Sequence, residues 1–95
     1  MRECDVEHKL VKATCAKHGM ALKFISPGTA GVPDRIVLMP HGRMAFVEVK
    51  APGQKLRPLQ LRRKKQLEKL GYRVFVLDDK AKIDEILKQI GEVST

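Results

Sequence analysis

Two apolar runs separated by a four-residue turn constrain this chain more than anything else in it. The first reads Val32-Pro33-Asp34-Arg35-Ile36-Val37-Leu38-Met39, the turn Pro40-His41-Gly42-Arg43, and the second Met44-Ala45-Phe46-Val47-Glu48-Val49-Lys50. Short runs rich in Val, Ile and Phe, joined by turn-formers, predict a β-hairpin. The unbroken apolar stretch Ile36 to Met39 predicts a strand covered on both faces. Side chains alternate along a strand, so Glu48 and Lys50 share a face, about 7 Å apart, with Phe46 on the same side. An Asp after a Pro is a common turn residue, and Glu-x-Lys also suits the exposed face of an edge strand. The shared face with Phe46 argues against plain solvent exposure.

Around the hairpin the pattern is α/β. Val6, Leu10, Ala13, Thr14 and Lys17 recur at three and four, predicting a helix from Cys4 to Lys17 with Gly19 as its stop. Glu3 and Glu7 fall within the inward arc of that helix, where an acid needs a reason. Met20 to Ser26 alternates as a first strand, followed by the turn-rich loop Ser26 to Gly31, whose Gly28 and Gly31 suit either a close approach to a phosphate or an ordinary flexible connection. A second helix spans Pro58 to Leu70, with Leu59, Arg63, Gln66, Leu67 and Leu70 facing inward and Gly71 ending it. Tyr72 to Leu77 is a fourth strand, and strand–helix–strand implies a parallel crossover. Asp78 or Asp79 caps a last helix, Lys80 to Ile90, carrying Ile83, Ile86, Leu87 and Ile90.

Ninety-five residues make one domain, 1–95, with a modest core, so association into a dimer is plausible on size alone. No apolar run is long enough to span a bilayer, and the charged N-terminus does not resemble a signal peptide, so the expected location is the cytoplasm. Cys4 and Cys15 on one helix lie roughly 16 Å apart at 1.5 Å per residue, too far to bridge, and are expected to be reduced and partly buried. His8, His18 and His41 lack zinc-ligand spacing.

The net charge is +8, unevenly placed. Residues 77–95 hold three lysines against five acids, a balance of −2, which leaves +10 on the first seventy-six. Lys55, Arg57, Arg62, Arg63, Lys64 and Lys65 concentrate in one short stretch. A patch of that kind suits a polyphosphate such as DNA, with binding that weakens as salt rises. Only four residues are aromatic, too few for a base-stacking platform.

The hairpin acids have a chemical use. Phosphodiester cleavage needs an activated water, an acceptor for developing negative charge and a stabilised leaving oxygen, all of which Mg²⁺ supplies when carboxylates hold it with open positions. Asp34 and Glu48 offer one oxygen each and the Val49 carbonyl a third. Lys50 is the local cation that orients or deprotonates the water or offsets phosphate charge.

The runs Gly31-Val32-Pro33-Asp34-Arg35-Ile36-Val37-Leu38 and Phe46-Val47-Glu48-Val49-Lys50-Ala51-Pro52-Gly53-Gln54-Lys55-Leu56-Arg57-Pro58-Leu59-Gln60 together resemble the virus-type replication–repair nuclease (VRR-NUC) domain of the PD-(D/E)xK superfamily. The resemblance covers nearly the whole chain. It implies a restriction-endonuclease-like αβββαβ core with a C-terminal helix and a mixed central sheet flanked by helices. It also implies Asp34 and Glu48 as ligands of Mg²⁺ or Mn²⁺, Lys50 as the catalytic lysine, and Gln60 facing the site from the second helix. An acid from the first helix joins the site as a further ligand: Glu7, by its Glu7-x-x-Leu10 spacing, or Glu3 one turn earlier. Small stand-alone members of the family act as homodimers on branched DNA such as four-way junctions. The expectation is therefore a metal-dependent endodeoxyribonuclease of phage or bacterial DNA replication and repair. A non-catalytic DNA-binding module, and a subunit that cuts only within a larger complex, are the competing readings.

Overall fold

The hairpin forms, and the other elements are laid against its two faces. The computed structural model describes residues 2–92; Met1 and residues 93–95 of the expected 1–95 domain lie outside the described residues. The order is α1 (Glu3–Ala16), β1 (Met20–Lys23), β2 (Arg35–Met39), a 3₁₀ turn at Pro40–Gly42, β3 (Arg43–Val49), α2 (Pro58–Lys69), β4 (Val74–Leu77), a second 3₁₀ turn at Lys80–Lys82, and α3 (Ile83–Gly91). The strands lie side by side as β1-β2-β3-β4. β1, β2 and β3 are antiparallel neighbours, while β4 runs parallel to β3, the mixed sheet expected of this class.

One face of the sheet carries the core. Ala21, Val37 and Ala45 stand opposite one another across three strands, and Val47, Val49 and Leu77 continue the same surface. Val6 and Leu10 of α1 and Ile83, Ile86, Leu87 and Ile90 of α3 close over it. Each such aliphatic side chain stabilises the fold by about 1.5–3 kcal/mol. Thr14, also buried, satisfies its hydroxyl by donating to the Leu10 carbonyl one turn back, at 2.7 Å.

The end of α1 differs from expectation. His18, at φ 65°, takes the left-handed position assigned to Gly19. Gly19 serves a different need: a Cβ there would lie 2.5 Å from the Leu38 carbonyl oxygen and 2.7 Å from Met39 Sδ. Only a residue without a side chain lets β1 leave α1 so close to β2. Lys17, expected on the inward stripe, is exposed, as are Cys4 and Cys15, which are free thiols rather than half-buried ones.

The opposite face, which carries Phe46 and Glu48, is only partly covered by α2. No α2 residue is fully buried, and Leu70, expected on its inward stripe, is 73% exposed. Leu38 is 38% exposed on this side, so β2 is not covered on both faces as its apolar run suggested. Near the chain's end, Asp79 is the capping acid: it accepts from Ala81 N at 3.0 Å, while Asp78 pairs with Lys82 at 2.8 Å. Among the described residues, no helix is long and apolar enough to cross a membrane.

Candidate active site

Asp34 sits one residue ahead of the β2–β3 ladder, so its groups are free to cap neighbouring chain. Its carbonyl accepts from Phe24 N at 2.8 Å, closing the base of the 25–33 loop. Its carboxylate Oδ2 accepts from Val49 N at 2.9 Å, beyond the last ladder pair. Arg35 opposes Val47, so the same register carried two residues further sets Pro33 against Val49. A proline has no N–H to give the Val49 carbonyl. The Pro-Asp pair thus takes the Val49 donor with a side chain and leaves its acceptor without a ladder partner.

Glu48, one residue earlier, points to the α2 face and is only 3% exposed. Burial pushes its carboxyl up to about 8, helped by a hydrogen bond and charge repulsion from Asp34; the Lys50 ammonium opposes the shift, and the charge of Glu3 adds to it. Without a cation, Glu48 therefore keeps its proton at neutral pH. A buried carboxyl with a raised pKa beside a second carboxyl is a common mark of a functional site.

Lys50 is 7% exposed, held in place by its main-chain N donating to Leu77 O at 2.8 Å. Gln60 reaches the group from the first turn of α2. Its Oε1 accepts from Arg57 N at 2.9 Å, which fixes the amide and leaves Nε2 facing Glu48 Oε1 at 3.4 Å. Phe46 stands beside Glu48 on the same face, its ring 5.6 Å from Phe24 and 5.9 Å from Tyr72. This aromatic trio, unread in the sequence, packs around Phe46 on the face that carries Glu48.

Asp34, Glu48, Val49, Lys50 and Gln60 therefore converge as expected. Glu7 does not converge with them. Its Oε1 accepts from Arg35 Nε at 2.8 Å, both side chains being mostly buried, and Arg35 Nη1 also donates to Ala21 O at 3.1 Å. That is the reason for an acid on the inward face of α1: it ties the helix to the starts of β1 and β2. Glu3 is the helix acid whose charge reaches Glu48. No group of three or more His, Cys, Asp or Glu gathers as a metal site among the described residues. The donor set is two carboxylates and a main-chain carbonyl, which suits a hard cation that keeps several positions for water and phosphate, as Mg²⁺ does. Zinc, which prefers His and Cys, has no set here.

The basic stretch divides in two. Lys55, Arg57, Arg62 and Lys65 are free of any carboxylate partner among the described residues. Lys64 pairs with Glu68 at 2.9 Å, and Arg63 is engaged with Ala30 O at 2.7 Å and Gln66 Oε1 at 2.9 Å. Those two are committed within the protein. Beyond the two readings open for Gly31, a phosphate approach or an ordinary connection, the structure adds a third feature: it lies against Leu59 of α2.

Comparison with known proteins agrees with this geometry. The VRR-NUC domain pattern matches residues 2–81. A phage protein named "Putative nuclease p44", from Acyrthosiphon pisum secondary endosymbiont phage 1, is 50% identical over 78 residues, spanning 82% of this chain and 84% of that one. A solved VRR-NUC domain superposes with a TM-score of 0.84 at 31% identity, covering 90% of this chain and 94% of that structure. The chain belongs to the VRR-NUC family of nuclease domains.

Proposed function

We propose that this protein is a Mg²⁺- or Mn²⁺-dependent DNA endonuclease that hydrolyses phosphodiester bonds in branched or otherwise structured DNA. The observation that carries the reading is the gathering of Asp34, bound to Val49 N, and buried Glu48, bound to Gln60, beside the mostly buried Lys50. Asp34, Glu48 and the Val49 carbonyl would hold the cation. When bound, such a cation supplies Lewis acidity toward water and positive charge toward the phosphate.

The remaining work falls to the chain. Glu48 releases its proton so that both carboxylates bear charge. Gln60 Nε2 then keeps Glu48 Oε1 oriented. Lys50 brings an ammonium into a pocket where water is scarce, so its attraction for a phosphate oxygen gaining charge is stronger than on the surface. Arg62, Lys65, Arg57 and Lys55 attract the backbone of the nucleic acid.

Selection by shape fits the absence of any base-reading element among the described residues: the cations of α2 address phosphates, which carry no sequence. Action as a homodimer would place two such sites about a two-fold axis, the symmetry needed to cut two strands of a four-way junction. The exposed free thiols Cys4 and Cys15 suit a reducing compartment, the cytoplasm.

The test compares the parent with Lys50→Ala and Asp34→Asn on four-way junction, flap, linear duplex and single-stranded DNA, with Mg²⁺ and with chelator. The reading expects cleavage by the parent alone, abolished by chelator and strongest on branched substrates. Equal cleavage by all three proteins rejects the site. DNA binding without cleavage under any condition favours a non-catalytic module.

A further inference from the structure

We infer that Arg63 is a positioning residue: it braces the loop leading into Asp34 against α2 and contacts no DNA phosphate. The inference rests on the proposed role of Asp34 but is argued from contacts that involve neither metal nor nucleic acid. Arg63 lies in the most basic stretch of the chain, between Arg62 and Lys64, where a phosphate contact is the natural first assignment. Its guanidinium is instead engaged in intramolecular hydrogen bonds at the surface. Nε donates to the Ala30 carbonyl at 2.7 Å, and Nη1 donates to Gln66 Oε1 at 2.9 Å.

The contact is a built one. Gly31, next to Ala30, adopts φ +82°, and a Cβ on it would meet Leu59 Cγ at 2.7 Å, Leu59 O at 3.1 Å and Arg63 Cγ at 3.2 Å. Leu59 and Arg63, one helical turn apart, thus clasp the loop at Gly31, which brings no side chain. From there the chain runs through Pro33, fully buried, to Asp34, whose carboxylate holds Val49 N at 2.9 Å. Gln60, on the intervening position of the same helix, touches Glu48. Two successive turns of α2 therefore set both carboxylates, one directly and one through the loop. Arg62 and Lys65 of the same helix have no carboxylate partner among the described residues.

The experiment uses Arg63→Ala, Arg63→Lys and Gly31→Ala in the full chain. Arg63→Ala should lower kcat at least tenfold with KM for DNA changed less than threefold. Arg63→Lys should recover part of kcat, because an ammonium can still donate one bond to Ala30 O. Gly31→Ala alters no charge, yet should lose kcat as Arg63→Ala does. The salt dependence of DNA binding should keep its slope in all three. A second readout needs no activity: hydrogen exchange of the Val49 amide, which reports the Asp34 carboxylate, should quicken at least tenfold in Arg63→Ala and Gly31→Ala. The Phe46 and Lys50 amides, bonded to Arg73 O and Leu77 O, should keep their protection. A phosphate-binding arginine would behave otherwise, raising KM, reducing the salt slope by about one, and leaving Gly31→Ala fully active. That pattern, or unchanged exchange at Val49, overturns the inference. If the parent itself cuts no DNA, the nuclease reading fails while Val49 exchange still decides this one.

Discussion

Replacing Glu48 by glutamine should remove a specific dependence of stability on pH. The Glu48 carboxyl sits at about 8 in the folded chain against an ordinary value of 4.5. Its folded pKa is raised, so its contribution is fully present below 4.5 and is lost as pH rises through 8. Between those limits the folded chain binds about one more proton than the unfolded chain, and stability falls by about 1.4 kcal/mol per pH unit. From pH 5.5 to 7.5 the metal-free protein should lose about 3 kcal/mol through this group, a large share of what a small domain possesses. The glutamine amide keeps the shape of the protonated acid and can donate to Asp34, but cannot titrate. Urea unfolding in chelator at pH 5.5, 6.5 and 7.5, compared between parent and Glu48→Gln, cancels the contribution of every other titrating group. The two stability curves should converge at low pH and separate as pH rises, the variant being the more stable. Parallel curves would refute the raised Glu48 pKa, and with it the idea that Glu48 is held protonated until a cation arrives.

Cation uptake by the parent at pH 7 should release about nine-tenths of a proton for each ion bound at the pair, measurable by calorimetry in buffers of different ionisation enthalpy and absent in Glu48→Gln. Truncating Arg35 to Ala leaves Glu7 mostly buried and unpaired, and should cost about 1–3 kcal/mol by chemical denaturation, with much of the loss restored in the double variant with Glu7→Gln. Gly19→Ala forces a methyl against the Leu38 carbonyl and should cost about 1–3 kcal/mol, seen as a fall in Tm of several degrees. Arg62→Ala with Lys65→Ala should reduce the salt slope of DNA binding by about two, whereas Lys64→Ala, already paired with Glu68, should change it little.

The parts of this structure readable in advance are those fixed by short-range pattern. Alternation placed Glu48 and Phe46 on one face, turn residues placed the hairpin, and the 3.6-residue period placed Ile83, Ile86, Leu87 and Ile90 against the sheet. Pairings over long separations were not readable. The position of Glu7 on α1 showed that an acid needed a partner, but helical geometry gives a direction and not the identity of Arg35, 28 residues away. Likewise Arg63 belongs to a basic run by composition, and only the approach of Gly31 to Leu59 shows that it faces the loop. Element ends moved where a side chain or a tight turn took over the backbone. β1 stops at Lys23 because the chain beyond Phe24 leaves for the loop, and β4 begins at Val74 rather than Tyr72. The stripe assigned to α2 failed for a physical reason. Leu59, Leu67 and Leu70 have helical spacing, but this helix covers only part of its face of the sheet, so periodicity signals a helix there without signalling burial.

The incomplete cover bears on function as well as on fold. A helix that buries no side chain fully is held by a few specific contacts, chiefly Gln60 to Glu48 and Arg63 to Ala30. Both contacts lead to the carboxylate pair. The element that carries Arg62 and Lys65, which have no carboxylate partner among the described residues, is thus the same one that contacts Glu48 and the loop before Asp34.

Crystals soaked in Mn²⁺ and measured for anomalous scattering test the central claim most directly. The account predicts one strong peak bounded by the Asp34 and Glu48 carboxylates and the Val49 carbonyl, near Lys50 and lost in Asp34→Asn. Soaked crystals with no peak between those oxygens would contradict it.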